Sequence, residues 1–272
     1  MGAGRGHWFQ FLTALGAKRG FFVPYRHAAE VAPPQAYKGL EKIFADALPQ
    51  FAAWGARIDA YRAQLQGFGA EPPPAPRWNQ DWFTGHDAAF AYTFVRETAP
   101  KRIVEIGSGH STRFMARAIQ DGDLATRLDC IDPAPRATLT GLRVDWTKAR
   151  LETTDYPFAE LGEGDVVFVD SSHILMPGTD LDILFANVLP ALKRGVVLHF
   201  HDIFLPWAYP DSWAWRGYNE QNAVAGLLAS GAYDPLWSSA YAARHLRIAA
   251  LDGLPIPDTA FVSSLWLRKR YL

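Results

Sequence analysis

Two short runs carry side chains able to do acid–base or metal chemistry. The apolar run Asp165–Asp170 ends in a carboxylate and is followed by Ser171, Ser172 and His173, and His201-Asp202 follows the run Gly195–Phe200. Each apolar run predicts a strand buried on both faces of a parallel sheet. Ligands in such sheets bind outside the carboxyl ends of the strands, where the strand order switches direction. Asp170, His173, His201 and Asp202 are therefore expected at one mouth, while His199, inside its strand, is expected to face the helix layer. Two chemistries suit two carboxylates and two imidazoles. They can hold a divalent metal, which lowers the pKa of bound water from about 15.7 to about 7. Alternatively, one imidazole acts as general base with a carboxylate orienting it, typically worth about 10²–10⁴-fold in rate.

A third run positions a ligand beside them. In Arg102 to Met115, R-I-V-E-I-G-S-G-H-S-T-R-F-M, the apolar Ile103, Val104 and Ile106 predict a strand. The chain then turns through Gly107-Ser108-Gly109 and enters a helix near Ser111–Thr112. Such a turn brings bare backbone N–H groups up to a ligand. A dinucleotide fingerprint needs a third small residue where the helix packs on the strand, and that place holds Thr112. The acid before the turn, Glu105, fits a ligand with an ammonium group better than a pyrophosphate. Asp132 ends the next predicted strand, Arg127–Ile131, about 20 residues past the glycines, where an acid can accept hydrogen bonds from a ribose diol.

The run E-I-G-S-G-H-S-T resembles the first motif of class I S-adenosylmethionine-dependent methyltransferases: an acidic residue, any residue, then G-x-G. It is most similar to a small-molecule or sugar O-methyltransferase-like branch with turn E-x-G-S-G-x-S-T, related to the cephalosporin hydroxylase and macrolide-sugar methyltransferase group. D-S-S-H at Asp170–His173 and H-F-H-D at His199–Asp202 resemble further elements of that branch, and the resemblance runs from Trp78 to the C-terminus. It implies a Rossmann-like, doubly wound α/β sheet, mostly parallel with a C-terminal antiparallel hairpin. It also implies S-adenosylmethionine as cofactor and a small-molecule acceptor, with a hydroxyl preferred. On this resemblance Gly107, Ser108, Gly109, Ser111 and Thr112 bind the methionine end, Glu105 its amino group, Asp132 the ribose and Asp155 the adenine. His173 or His201 would be the base, and Asp170, His201 and Asp202 the ligands of a Mg-like metal. The alternatives are an NAD-type oxidoreductase, a non-catalytic binding protein on the same fold, and metal-dependent hydroxylation.

The totals narrow the field. With 272 residues and 49% hydrophobic content the chain can bury a full core. A formal net charge of -1 supplies no positive field for nucleic acid. Cys130 is the only cysteine, which excludes an intramolecular disulfide and a thiolate zinc site, and its apolar setting predicts a core residue. No stretch approaches the roughly 20 apolar residues of a membrane helix, and the N-terminus lacks a convincing leader, so a cytoplasmic protein is expected.

The elements that must position the site follow in order. Residues 1–30 are aromatic and mildly basic, with Trp8, Phe9, Phe11, Phe21, Phe22, Tyr25, Lys18 and Arg19, and suit a docked arm or a homo-oligomer contact. Tyr37 to Phe68 predicts one or two amphipathic helices broken near Pro49. The proline-rich Glu71–Pro76 separates this N-terminal helical segment, residues 1–76, from the sheet domain, 77–272. Thr84 or Asp87 is expected to cap a helix over Ala88–Glu97, with Trp78, Trp82, Phe83 and His86 available as site walls. Further strands are expected near Ala149–Glu152, at Pro235–Ala240 and at Ser263–Leu267, and helices near Asp180–Leu192 and Glu220–Ser230. The aromatic loop Phe204–Asn219 leaves the strand bearing Asp202 and can fold over the same crevice.

Overall fold

A computed structural model describes residues 2–17, 20–21 and 23–271; Lys18, Arg19 and Phe22 of the aromatic arm lie outside them. The described elements begin with α1 (Gly2–Ala14), α2 (Glu41–Ala60), α3 (Arg62–Gln66) and α4 (Gly85–Thr98). They continue through β1 (Arg102–Ile106), α5 (His110–Asp121), β2 (Arg127–Ile131), β3 (Asp145–Thr147) and β4 (Val166–Val169). Next, α6 (Asp180–Ile183) passes through a π-helical turn, Leu184–Val188, into α7 (Leu189–Ala191), followed by β5 (Val197–Phe200). The chain ends with α8 (Glu220–Ala229), β6 (Tyr233–Ser238), α9 (Ser239–His245) and β7 (Leu265–Lys269).

The strands form one sheet in the order β3-β2-β1-β4-β5-β7-β6. β1 to β5 run parallel and β7 pairs antiparallel with both β5 and β6. This is the mostly parallel sheet with an antiparallel C-terminal pair expected from the sequence. Ile103, Val104 and the whole of β4 are buried because helices cover both faces. The expected strand at Ala149–Glu152 is displaced: the strand is β3, and Leu151–Thr153 is a single 3-10 turn. β3 pairs only with β2 and all three of its residues are exposed, so no apolar run marked it.

Pro49 does not break its helix. α2 runs on to Ala60, and the interruption comes at Tyr61. Phe44, Phe51 and Ile58 on one face are fully buried in the common core, and this packing outweighs the missing backbone donor. Neither Thr84 nor Asp87 caps α4 with its side chain. Thr84 Oγ1 donates to the Trp78 carbonyl, and Asp87 instead accepts from the backbone N–H groups of Ser263 and Ser264, tying α4 to the start of β7. No helix among the described residues is long and apolar enough to cross a membrane.

The strand order switches direction between β1 and β4, and there the two exits run against each other. Asp170 N–H donates to the Ile106 carbonyl and His201 N–H to that of Val169, so the ladder continues past the strand ends. Gly107 has φ +82°, and a Cβ there would stand 1.8 Å from the Asp170 carbonyl oxygen. Only glycine lets β1 leave its strand this close to β4. Gly107→Ala should therefore lower stability by more than about 2 kcal/mol, since overpacking adds to backbone strain. Gly164→Ala, at φ +83° with open space around its Cβ, should cost only about 1–2 kcal/mol. Urea unfolding midpoints of the two variants check the difference.

Candidate active site

The turn after β1 is held from beneath. Glu105 is fully buried, and its two carboxylate oxygens accept from the hydroxyls of Ser111 and Thr112, both at 2.5 Å. Thr112 Oγ1 accepts in turn from Gly109 N–H at 2.9 Å, closing the first turn of α5. Burial raises the Glu105 pKa to about 7 against the opposing pull of these hydroxyls and of Cys130. Glu105, Ser111 and Thr112 thus shape the turn from inside instead of lining the cavity, which corrects the contacts with cofactor expected for them. Gly107, Ser108, Gly109 and Asp132 do line it. Asp132 accepts from Ser108 N–H and Ala134 N–H, both at 2.6 Å, joining the turn after β1 to that after β2. Asp155 is exposed and away from the cavity; Arg150, Leu151 and Glu152, on the 3-10 turn that displaced the expected strand, occupy that wall.

The four groups expected at the mouth come together, with two acids the sequence did not reveal. His173 Nε2 lies 3.3 Å from Asp170 Oδ1 and 3.4 Å from Asp202 Oδ2, and its Nδ1 is 2.9 Å from Glu220 Oε2. His201 Nδ1 lies 3.4 Å from both Asp170 Oδ1 and Asp202 Oδ1, and its Nε2 is 3.3 Å from Asp87 Oδ2. Each imidazole is therefore flanked by carboxylates on both ring nitrogens. Burial opposes charge on His173, but Asp202, Asp170 and Glu220 outweigh it and hold its pKa well above the ordinary value. Asp170, Asp202 and Asp87 do the same for His201. Burial would raise the Asp170 pKa, yet the imidazolium groups of His201 and His173 hold it well below the usual carboxylate range. His199 is fully buried, stacks on Phe168 and is pushed well down by burial and by His201, so it stays neutral in the core.

Backbone strain marks the same place. His173 and Asp202 hold φ of +59° and +57°, left-handed values uncommon outside glycine. The loop bearing His173 is stapled to the start of α8: Asn219 N–H donates to the His173 carbonyl, and the Asn219 side chain exchanges hydrogen bonds with Leu175. That staple brings Glu220, the first residue of α8, beneath His173. Only its place four residues after the tryptophan-rich turn could have hinted at this.

As ligands for a metal, Asp170, His201 and Asp202 do not fit. Their facing atoms are spent on carboxylate–imidazolium pairs, and no group of three or more His, Cys, Asp or Glu among the described residues is arranged to hold an ion.

Above the cluster a cavity of about 500 Å³ joins the glycine turn to Asp170, His173, His201 and Asp202. Trp82, Phe83 and Phe21 wall one side. Trp78 is buried elsewhere, its Nε1 donating to the Leu65 carbonyl, and the half-buried His86 does not line the cavity either. The aromatic loop does fold over the crevice, contributing Trp213, Arg216 and Tyr218. Ser108 Oγ, His110 Nδ1 and Ser171 Oγ, all on cavity-lining residues, are buried without a hydrogen-bond partner. Cys130 is buried and its thiol is pushed far up by burial, so it is a core residue.

Residues 104–203, which span β1 to β5, match the family described as a methyltransferase domain. No curated protein matches the chain. Among solved structures the chain is similar to the SAH-bound methyltransferase PaMTH1 of Podospora anserina, at 18% identity over 92% of this chain and 99% of that one, with a TM-score of 0.45. It is also similar to the O-methyltransferase TomG from Streptomyces achromogenes, involved in tomaymycin synthesis and solved with SAM. There the identity is 19% over 81% of this chain and 90% of that one, with a TM-score of 0.43. The methyltransferase MycE of the mycinamycin pathway, solved with Mg and SAH, matches at 15% identity over 65% and 48%, with a TM-score of 0.37. The mostly parallel sheet with its antiparallel C-terminal pair, and the methyltransferase-domain family matched over residues 104–203, both agree with the fold that the sequence motifs implied.

The cluster should be visible in pH-dependent stability. His173 and His201 are raised above the unfolded value of about 6.5. Their contribution is full below that value and is lost as the pH rises through the elevated folded pKa. Asp170 is depressed, so its contribution is lost as the pH falls below its unfolded value of about 3.9. Thermal unfolding followed across pH should show both arms, and H173Q/H201Q should flatten the alkaline one.

Proposed function

We propose that this chain, whose residues 104–203 match a methyltransferase-domain family, transfers a methyl group from S-adenosylmethionine to a hydroxyl of a small-molecule acceptor. One observation carries it: the glycine turn, with the unpartnered Ser108 Oγ and His110 Nδ1, opens into the same cavity as the carboxylate–imidazole cluster. Gly107, Ser108, Gly109 and His110 would hold the amino-acid end of the cofactor, Asp132 the ribose, and Leu151 and Glu152 the base. When bound, the cofactor supplies a methyl group on a sulfonium, whose departure needs no acid. The chain's own task is then to align the acceptor and take up its proton.

Asp170 meets the acceptor in this reading, because its side chain is 29% exposed against 5% and 6% for the two imidazoles. The acceptor hydroxyl donates to the Asp170 carboxylate, and the proton enters the network shared with His173 and His201. Both imidazoles hold protons at neutral pH, so the cluster accepts another only after losing one. Glu220 and Asp87 act through the imidazoles as positioning residues. Residues 77–272 form the catalytic unit of this proposal, and the exposed Trp8 and Phe11 of the arm suit a homo-oligomer contact.

Calorimetry should show that S-adenosylhomocysteine binds the full chain and NAD does not; absence of binding by the former overturns the proposal. Asp170→Asn should keep that binding while lowering turnover of phenol, catechol or glycoside acceptors by about 10²–10⁴-fold. Turnover of the wild type should rise with pH above neutral. Glu220→Gln removes a group that raises the His173 pKa, so the rise should move to lower pH. Initial rates of S-adenosylhomocysteine release across pH check both.

A further inference from the structure

The cavity wall contributed by the aromatic loop holds a cation that no carboxylate among the described residues pairs with directly. Arg216 ends the 3-10 turn Asp211–Arg216, and Gly217, at φ +65°, reverses the chain behind it. Its guanidinium carbon sits 4.1 Å from the Trp213 ring centre, 5.3 Å from that of Trp215 and 5.2 Å from that of Tyr218. Nη1 donates to the Tyr218 hydroxyl at 2.9 Å, while Nε is buried with no acceptor among the described residues. No carboxylate among the described residues pairs with it. A buried donor left without a partner costs about 1–3 kcal/mol. A guanidinium locked against aromatic faces is already oriented to grip a planar oxyanion through two parallel N–H groups.

Its place relative to the reacting groups is defined. The Tyr218 ring lies 5.2 Å from the Arg216 guanidinium carbon and 4.5 Å from the His173 ring. One aromatic ring is therefore a neighbour both of the guanidinium and of the carboxylate–imidazole cluster. Arg136, also on the cavity wall, stacks on Trp82 at 4.1 Å, so a second aromatic face lines the same space.

We infer that the acceptor is a flat molecule carrying an oxyanion, a carboxylate or a phosphate, about one ring length from the hydroxyl that is methylated, and that Arg216 binds this oxyanion. The inference rests on the cavity being the acceptor site, as proposed above.

The test reads the guanidinium itself. In the ¹⁵N-labelled full chain, the Arg216 Nε–H resonance is assigned by its loss in R216Q, with R216K as a second variant should the first fail to fold. Benzoate, inorganic phosphate and benzyl alcohol are then titrated separately. Benzoate should shift the resonance saturably, benzyl alcohol should not, and the variants should bind benzoate about tenfold more weakly or worse. The phosphate titration distinguishes the two oxyanions: a shift admits phosphate esters, and none restricts the site to carboxylates. If neither anion moves the resonance, or if benzyl alcohol moves it equally, the inference is overturned. S-adenosylhomocysteine affinity, measured on the same samples, should be unchanged in R216Q and R216K. Should it fail to bind the wild type, the methyl-transfer proposal falls while the resonance result for Arg216 stands.

Discussion

Two buried imidazoles shared among four carboxylates are the interaction on which the architecture of this protein turns. The acids come from α4, the exits of β4 and β5, and the first residue of α8: Asp87, Asp170, Asp202 and Glu220. Ser263, just before β7, adds a hydroxyl to Asp202 and a backbone N–H to Asp87. Charges taken out of water are tolerable only when paired in good geometry, and removing one member of such a set typically costs about 3–5 kcal/mol. Five elements are therefore pinned to one point by the need to keep those charges matched. The left-handed backbone of His173 and Asp202 is strain that this matching holds in place.

The second constraint is steric. Because Gly107 passes the Asp170 carbonyl so closely, the glycine turn and the cluster cannot shift independently. Glu105 reinforces the coupling from below by gathering the hydroxyls of the first turn of α5, and Asp132 does so from the side. A ligand lying across the turn is thereby referenced to the acids of β4 and β5 through backbone, the least compliant part of the structure. Alignment of this kind is what an in-line group transfer requires of a protein. The loop carrying Trp213, Arg216 and Tyr218, between β5 and α8, completes the enclosure.

The strands that build the mouth were legible because their burial is written as uninterrupted apolar runs, and β2 was placed to the residue. So were the glycine turn and the four polar groups at the strand ends, since parallel topology sends such ends to one side. β3 was misplaced because an exposed edge strand has no apolar signature, and the break assigned to Pro49 overlooked the packing of Phe44 and Phe51.

Chemical type and strand-end position, then, belong to local sequence: which residues are acids or imidazoles, and at which end of which strand they emerge. Their electrostatic condition does not. Glu105 faces inward to hydroxyls, Asp155 lies out in solvent, and His173 and His201, whose pKa values Asp202 and Asp170 chiefly raise, meet further carboxylates in Glu220 and Asp87, 47 and 114 residues away along the chain. Charge state depends on what surrounds a group in three dimensions, and those neighbours are delivered by helices and loops whose spacing along the chain carries no trace of the meeting.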